Sequence, residues 1–132
     1  MRAAFAVESP SDMVSKTIQA ANDPLYPEDL VQRLNIVGHG SRSGVQIGAH
    51  FVELSNIEDY EGGFRKLRQV LSGESFVHIM GCAVGQNEKL LVRLARAFGV
   101  LVYAGTSAEN VLLNFNFGEI VVAYPGGRRV FS

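Results

Sequence analysis

Leu34-Asn35-Ile36-Val37-Gly38-His39-Gly40 and Phe76-Val77-His78-Ile79-Met80-Gly81-Cys82 are the two stretches that decide the fold of this chain. Each is an apolar run of strand length that ends on a reactive side chain beside glycine. The first ends on an imidazole, the second on the only thiol in the sequence. Phe76 to Met80 is apolar except for His78, the pattern of a strand buried on both faces of a parallel sheet. In open α/β sheets, ligands and chemistry collect at the carboxyl ends of the strands. Two parallel strands ending in His39 and Cys82 bring an imidazole and a thiol to one rim. The expectation is a cysteine nucleophile paired with a histidine base.

Working outward, Ala3 to Val7 reads as a short strand. Ser9-Pro10-Ser11-Asp12 is a helix start, because Ser or Asp can cap and Pro suits the first turn. The helix runs to Ala21 and stops at Asn22-Asp23-Pro24, since the residue before proline avoids the helical region. Pro27-Glu28-Asp29 leads into the strand Val31 to Val37. Val45-Gln46-Ile47 and Phe51 to Leu54 alternate around Gly48-Ala49-His50 as a hairpin does. Ser55-Asn56 is placed to cap a helix from Ile57 to Leu71, with Tyr60, Phe64, Leu67 and Leu71 on one face. Ser72-Gly73-Glu74-Ser75 ends it. After Cys82 a helix is expected over 87–98, closed by Gly99, then a strand over 100–104. Glu109-Asn110 opens a loop. Phe115-Asn116-Phe117, Glu119 to Tyr124 and Arg129-Val130-Phe131 read as a β meander turning at Pro125-Gly126-Gly127.

The chain has 132 residues, enough for one domain, with 47% hydrophobic and 19% charged residues. Strands alternate with helices, so parallel crossover units are expected. The formal net charge is −1, which gives no reason to expect a nucleic-acid or anionic-membrane partner. Arg65, Lys66, Arg68, Lys89, Arg93 and Arg96 read as solvated helix faces. A single Cys forms no internal disulfide, which suits a reducing compartment. The N-terminal stretch lacks the long apolar region of a signal peptide, and no run reaches the roughly 18 residues that span a bilayer. These features point to a cytoplasmic protein without a transmembrane segment.

A nucleophilic thiol must ionise, and a free thiol, with a pKa of about 8.5, is mostly protonated at neutral pH. A neighbouring imidazole or a helix N-terminus favours the thiolate, and both are available to Cys82. Gly81 would let a substrate approach the backbone. The amides of Cys82 and Gly40 would form an oxyanion hole, with His39 as base and leaving-group acid. Glu53, Asp59 and Glu109 are the carboxylates left to orient the imidazole. Taken alone, a cysteine after a buried strand is a small core residue, and His-Gly is a turn. Their recurrence after successive buried strands, 43 positions apart, is what favours chemistry. His39, His78 and Cys82 make a poor zinc set, with three mixed ligands and no CxxC or HxxxH spacing. His78 reads instead as a hydrogen-bonded core residue and His50 as a surface residue of the hairpin. Gly38-His39-Gly40 lacks the spacing and the Lys of a phosphate loop.

Val37-Gly38-His39-Gly40, Gly44-Val45-Gln46-Ile47-Gly48, Ile79-Met80-Gly81-Cys82 and Val102-Tyr103-Ala104-Gly105-Thr106-Ser107 occur in this order, followed by Phe115-Asn116-Phe117-Gly118-Glu119-Ile120. In this the chain resembles the caspase-like cysteine peptidases. The closest likeness is to a bacterial caspase-like domain of unknown function. The resemblance covers roughly residues 31–125. It implies a single α/β domain over 1–132, three-layered, with a mainly parallel sheet and a small hairpin after the His-bearing strand. It also implies peptide-bond hydrolysis by a caspase-like cysteine endopeptidase or self-processing domain, with His39 as general acid/base and Cys82 as nucleophile. The substrate is then a protein or peptide, and no cofactor or metal is called for. The alternatives are a catalytically silent protein-binding module and an acyl-transfer enzyme that uses the same pair on a non-peptide substrate.

Overall fold

The computed structural model describes residues 4–25, 31–107, 109–110, 115–116 and 118–131. Pro27-Glu28-Asp29, Ala3 and Phe117 lie outside them. The first helix, α1, spans Pro10–Ala21. Its start is built as the sequence predicts: the Ser9 hydroxyl accepts the Asp12 N–H at 3.0 Å, and Asp12 accepts the Glu8 N–H at 2.8 Å. The first bond satisfies a donor that a helix leaves open at its first turn, and the second ties the preceding residue to it. Ala4 to Val7, expected as a strand, has no regular structure.

The main sheet begins with β1 (Val31–Val37). The chain then makes a small antiparallel sheet from β2 (Gly40–Ser41), β3 (Gly44–Ile47) and β4 (His50–Glu53). The expected hairpin is therefore present, extended by one short strand directly after His39. Asn56 does not cap the next helix. Its side chain closes the turn behind β4, accepting the Glu53 N–H at 2.9 Å and donating to the Phe51 carbonyl at 2.7 Å.

Helix α2 runs over Glu58–Arg65 and tightens into a 3₁₀ turn, Lys66–Gln69. It ends before Leu71, where the sequence pattern had extended it. Leu71 instead opens the next strand, β5 (Leu71–Met80), opposite Val31. Val31 pairs with Leu71 but Arg33 with Phe76, so β5 carries three extra residues there. Ser72-Gly73-Glu74-Ser75 forms that bulge. The Ser75 hydroxyl accepts the Ser72 N–H at 2.8 Å and donates to the Val31 carbonyl.

A 3₁₀ turn (Val84–Gln86) leads to α3 (Glu88–Phe98). Asn87 caps α3 by accepting the Leu90 N–H at 3.1 Å. Gly99 leaves it at φ 73°, a conformation that suits glycine. The Arg68 side chain donates to the last-turn carbonyls of Ala97, at 3.0 Å, and Arg96. Then come β6 (Leu101–Gly105), the short pair β7 (Glu109–Asn110) and β8 (Phe115–Asn116), β9 (Ile120–Tyr124) and β10 (Gly127–Phe131). Glu109-Asn110 is thus a two-residue strand paired with Phe115-Asn116 rather than a loop.

The main sheet has five strands in the order β1-β5-β6-β9-β10. The first three are parallel, β9 runs antiparallel to β6, and β10 runs antiparallel to β9. This is a mixed α/β domain with a parallel core and a separate small hairpin sheet. The layering differs from the sequence expectation. From β1 to β5 to β6 the order never reverses, so right-handed crossovers put α2 and α3 on the same face. Helix α1 packs beside α2. The buried residues agree: Met13, Phe64, Leu67, Leu91, Leu94 and Phe98 form one core with Ile36, Val77, Ile79, Val102, Ala104, Val121 and Ala123 of the sheet. Among the described residues the helices make one layer, not two. The alternate positions, Arg33, Asn35, Phe76, His78 and Tyr103, face the other way and are half-buried or exposed.

Candidate active site

The β1–β5 ladder holds to Val37 opposite Met80, and the Gly38 N–H reaches the Met80 carbonyl at 3.4 Å. His39 and Cys82 each stand two residues beyond the last pair of that ladder. The backbones stay in contact past the ladder. A Cβ added to Gly81 would fall 2.9 Å from the Gly38 carbonyl oxygen and 3.3 Å from the Gly40 Cα. One added to Gly40 would fall 3.0 Å from both the amide nitrogen and the carbonyl oxygen of Cys82. Glycine is needed at both positions because the two loops touch backbone to backbone. This changes the reading of Gly81. It is buried, and the room it leaves is filled by the first loop, not by solvent.

The turn that carries Cys82 is buried around an exposed thiol. Gly81, Val84 and Gly85 are buried, whereas Cys82 is exposed. The core-cysteine reading is thereby excluded. Ala83, the next residue, has φ 60° and ψ 9°, the only positive φ outside glycine among the described residues. A left-handed alanine costs roughly 1–2 kcal/mol, and such residues persist only where the surroundings fix them. Here the Ala83 N–H donates to the Ser107 carbonyl at 2.9 Å, and Gly85 packs on the backbone of Ala104 and Gly105.

The rim therefore comprises three loops that follow three parallel strands. His39 is exposed on the first, its carbonyl accepting the Gln46 N–H at 2.8 Å. Cys82 is on the second. Thr106 and Ser107 form the third, tied to Glu119 through a backbone bond of 2.9 Å. The adjacent side chains of Gln86 and Asn87 cross-brace the rim. Gln86 donates to the Thr106 carbonyl at 2.8 Å, and Asn87 to the Ser43 carbonyl at 3.2 Å. The sequence reading took Asn87 only as the start of a helix. An amide five positions past Cys82 gives no sign of the loop it reaches.

Other expected contributors are placed differently. Helix α3 starts six residues after Cys82, and its Leu90 N–H is taken by Asn87. A helix dipole fades within its first turn, so α3 does little for the thiol. Among the described residues no hydrogen bond ties Glu53 or Asp59 to the His39 ring, and the side chain of Glu109 is outside them. His78 is held within the sheet, its Nδ1 3.0 Å from the Arg33 guanidinium. A fixed cation at that distance is a poor neighbour for zinc. His50 is exposed, with Nδ1 3.2 Å from the Tyr60 hydroxyl. The basic residues of α3 are partly engaged, Arg93 with Glu61 and Arg96 with the Pro125 carbonyl. With Lys89, Glu88, Val92, Leu54 and Gly127 they line a groove of about 480 Å³ that includes neither His39 nor Cys82.

Over residues 5–109 the sequence matches the family model described as Domain of unknown function (DUF4347). The chain belongs to that family. The match includes all three parallel strands and both loops that carry His39 and Cys82. No curated protein and no solved structure shows detectable similarity to this DUF4347 domain. None of its helices, among the described residues, is long and apolar enough to cross a membrane.

Proposed function

We propose that this domain is a caspase-like cysteine endopeptidase or self-processing domain in which Cys82 is the nucleophile and His39 the general acid/base. One observation supports the reading: exposed Cys82, on a turn that includes a left-handed alanine, lies on a loop that packs backbone to backbone against the loop of exposed His39. A structural cysteine has no need of such a turn.

The chemistry follows from the groups at the rim. The Cys82 sulfur attacks the scissile carbonyl as thiolate, its proton having passed to His39. The carbonyl oxygen gains negative charge and is met by the backbone N–H groups of Cys82 and Gly40. His39 returns the proton to the departing amine, which leaves a thioester on Cys82. Water, deprotonated by His39, then releases the acid and restores the thiol. The substrate is a peptide segment of a partner or of the chain itself.

The test is cleavage. Wild type, Cys82→Ala and His39→Ala are incubated with a peptide library, and substrates and enzyme are both analysed by mass spectrometry. The reading expects cuts with wild type only. Absence of cuts, with the thiol nevertheless activated by His39, would move the reading to acyl transfer on a non-peptide acceptor. Absence of both would leave a binding module.

A further inference from the structure

We infer that Asn87 is a positioning residue: it clamps the His39 loop onto the turn that carries Cys82. The inference rests on the His39/Cys82 reading and adds a group that the reading does not contain. Asn87 has two polar atoms and uses them in opposite directions. Its Oδ1 accepts the Leu90 N–H at 3.1 Å and so starts α3. Its Nδ2 donates to the Ser43 carbonyl at 3.2 Å.

Ser43 lies in the turn between β2 and β3, four residues after His39. That turn is otherwise held mainly by its own hairpin: Gly40 opposite Val45, Ser41 opposite Gly44, and the Ser43 N–H on the Ser41 hydroxyl at 3.1 Å. The Asn87 bond reaches it from the Cys82 side. Beside it, Gly40 lies so near Cys82 and Val84 that a Cβ would not fit, and the Gly38 N–H reaches the Met80 carbonyl at 3.4 Å before the two loops begin. Such contacts keep the loops close but do not fix their angle. A directional hydrogen bond does, and the orientation of His39 relative to the sulfur depends on that angle. Gln86 does the corresponding job on the other side, toward Thr106, and does not touch the His39 loop.

The two functions of Asn87 separate by substitution. Ser and Asp are as good as Asn at a helix N-cap, but neither offers an amide donor to Ser43. Asn87→Ser and Asn87→Asp therefore keep α3 and cut the clamp. Two quantities are read on the full chain: amide exchange of residues 41–44 and the rate of Cys82 alkylation by iodoacetamide across neutral pH. In both variants exchange at 41–44 rises and alkylation slows toward the His39→Ala rate. The expected slowing is about three- to ten-fold, the factor set by one ordinary hydrogen bond. The far-UV spectrum stays that of wild type. Gln86→Ala leaves exchange at 41–44 at the wild-type rate.

Unchanged exchange in the Asn87 variants would overturn the clamp. So would an equal rise in Gln86→Ala, which would assign the effect to the turn as a whole. Raised exchange with an unchanged alkylation rate, while His39→Ala slows it, would overturn the positioning role and leave the His39/Cys82 pair intact. If His39→Ala itself has no effect on alkylation, the pair is refuted and the positioning role with it, whereas the exchange data still decide the clamp.

Discussion

Ala83 is where the chain accepts an unfavourable conformation for the sake of what it holds. At φ 60° an alanine gives up roughly 1–2 kcal/mol, which glycine would not. Glycine in turn loses more entropy on folding, roughly 0.5–1 kcal/mol. Ala83→Gly is thus expected to raise stability, by up to about 1 kcal/mol, and Ala83→Val to lower it. Urea unfolding midpoints check both. Gly40 has the opposite constraint. A Cβ there would sit 2.6 Å from Val84 Cγ2 and 3.0 Å from the Cys82 backbone. Gly40→Ala should cost about 1–3 kcal/mol, as overpacking does, and should slow alkylation of Cys82 because the two loops must part. A stable Gly40→Ala variant with wild-type thiol reactivity would contradict the packing described. His39 and Cys82 were legible in the sequence because reactive side chains stand out against apolar strands and glycine. Asn87 and Ala83 were not, because a cap and an alanine look ordinary until the backbone that surrounds them is known.

Elements were legible where one force dominates. The strand Phe76–Met80 follows from an apolar run broken only by His78, Val31–Val37 from Leu34, Ile36 and Val37 ahead of Gly38, and α3 from a one-sided pattern with a capping Asn and a closing Gly. The end of α2 was not. Leu71 fits the helical spacing of Phe64 and Leu67, yet it also begins the strand beside Val31, and the pairing wins. Ser72 to Ser75 reads as a loop by composition and is a bulge inside the strand, held by serine hydroxyls. Helix α1 carries a pH-dependent contribution at its start. The Glu8 N–H and then Lys16 hold the Asp12 carboxyl below the usual carboxylate range. A lowered folded-state pKa means that this stabilisation is present above the ordinary carboxylate range and is lost as pH falls through the lowered value. Asp12→Asn should therefore be less stable than wild type at neutral pH, with the gap closing in acid. Denaturant titrations of both proteins at the two pH values check this.

For the whole molecule, the decisive fact is a strand order that never reverses across β1, β5 and β6. It puts α2 and α3 on one sheet face, with α1 packed beside α2, and sends three loops to one rim. Apolar strands had suggested helices on both faces, since hydrophobic periodicity reports burial and not what does the burying. Phe76 and Tyr103, on the far face, are apolar enough to read as core. They pack on each other with ring centroids 5.2 Å apart. The single core makes Phe98 critical: it is fully buried, with its ring 5.0 Å from that of Phe64, and α3 links it to the Cys82 turn. Phe98→Ala should cost about 3–5 kcal/mol, measured by chemical unfolding, and a cost under about 1 kcal/mol would contradict the packing. The central claim is that this scaffold activates Cys82 through His39. The direct test is the rate of Cys82 alkylation at neutral pH, measured for folded wild type, folded His39→Ala and the urea-unfolded chain. Folded wild type is expected to react about tenfold or more faster than the unfolded chain, as a thiolate beside an imidazole does, and His39→Ala to remove the excess. A folded wild type that reacts no faster than the unfolded chain, or one indifferent to His39→Ala, would contradict the claim.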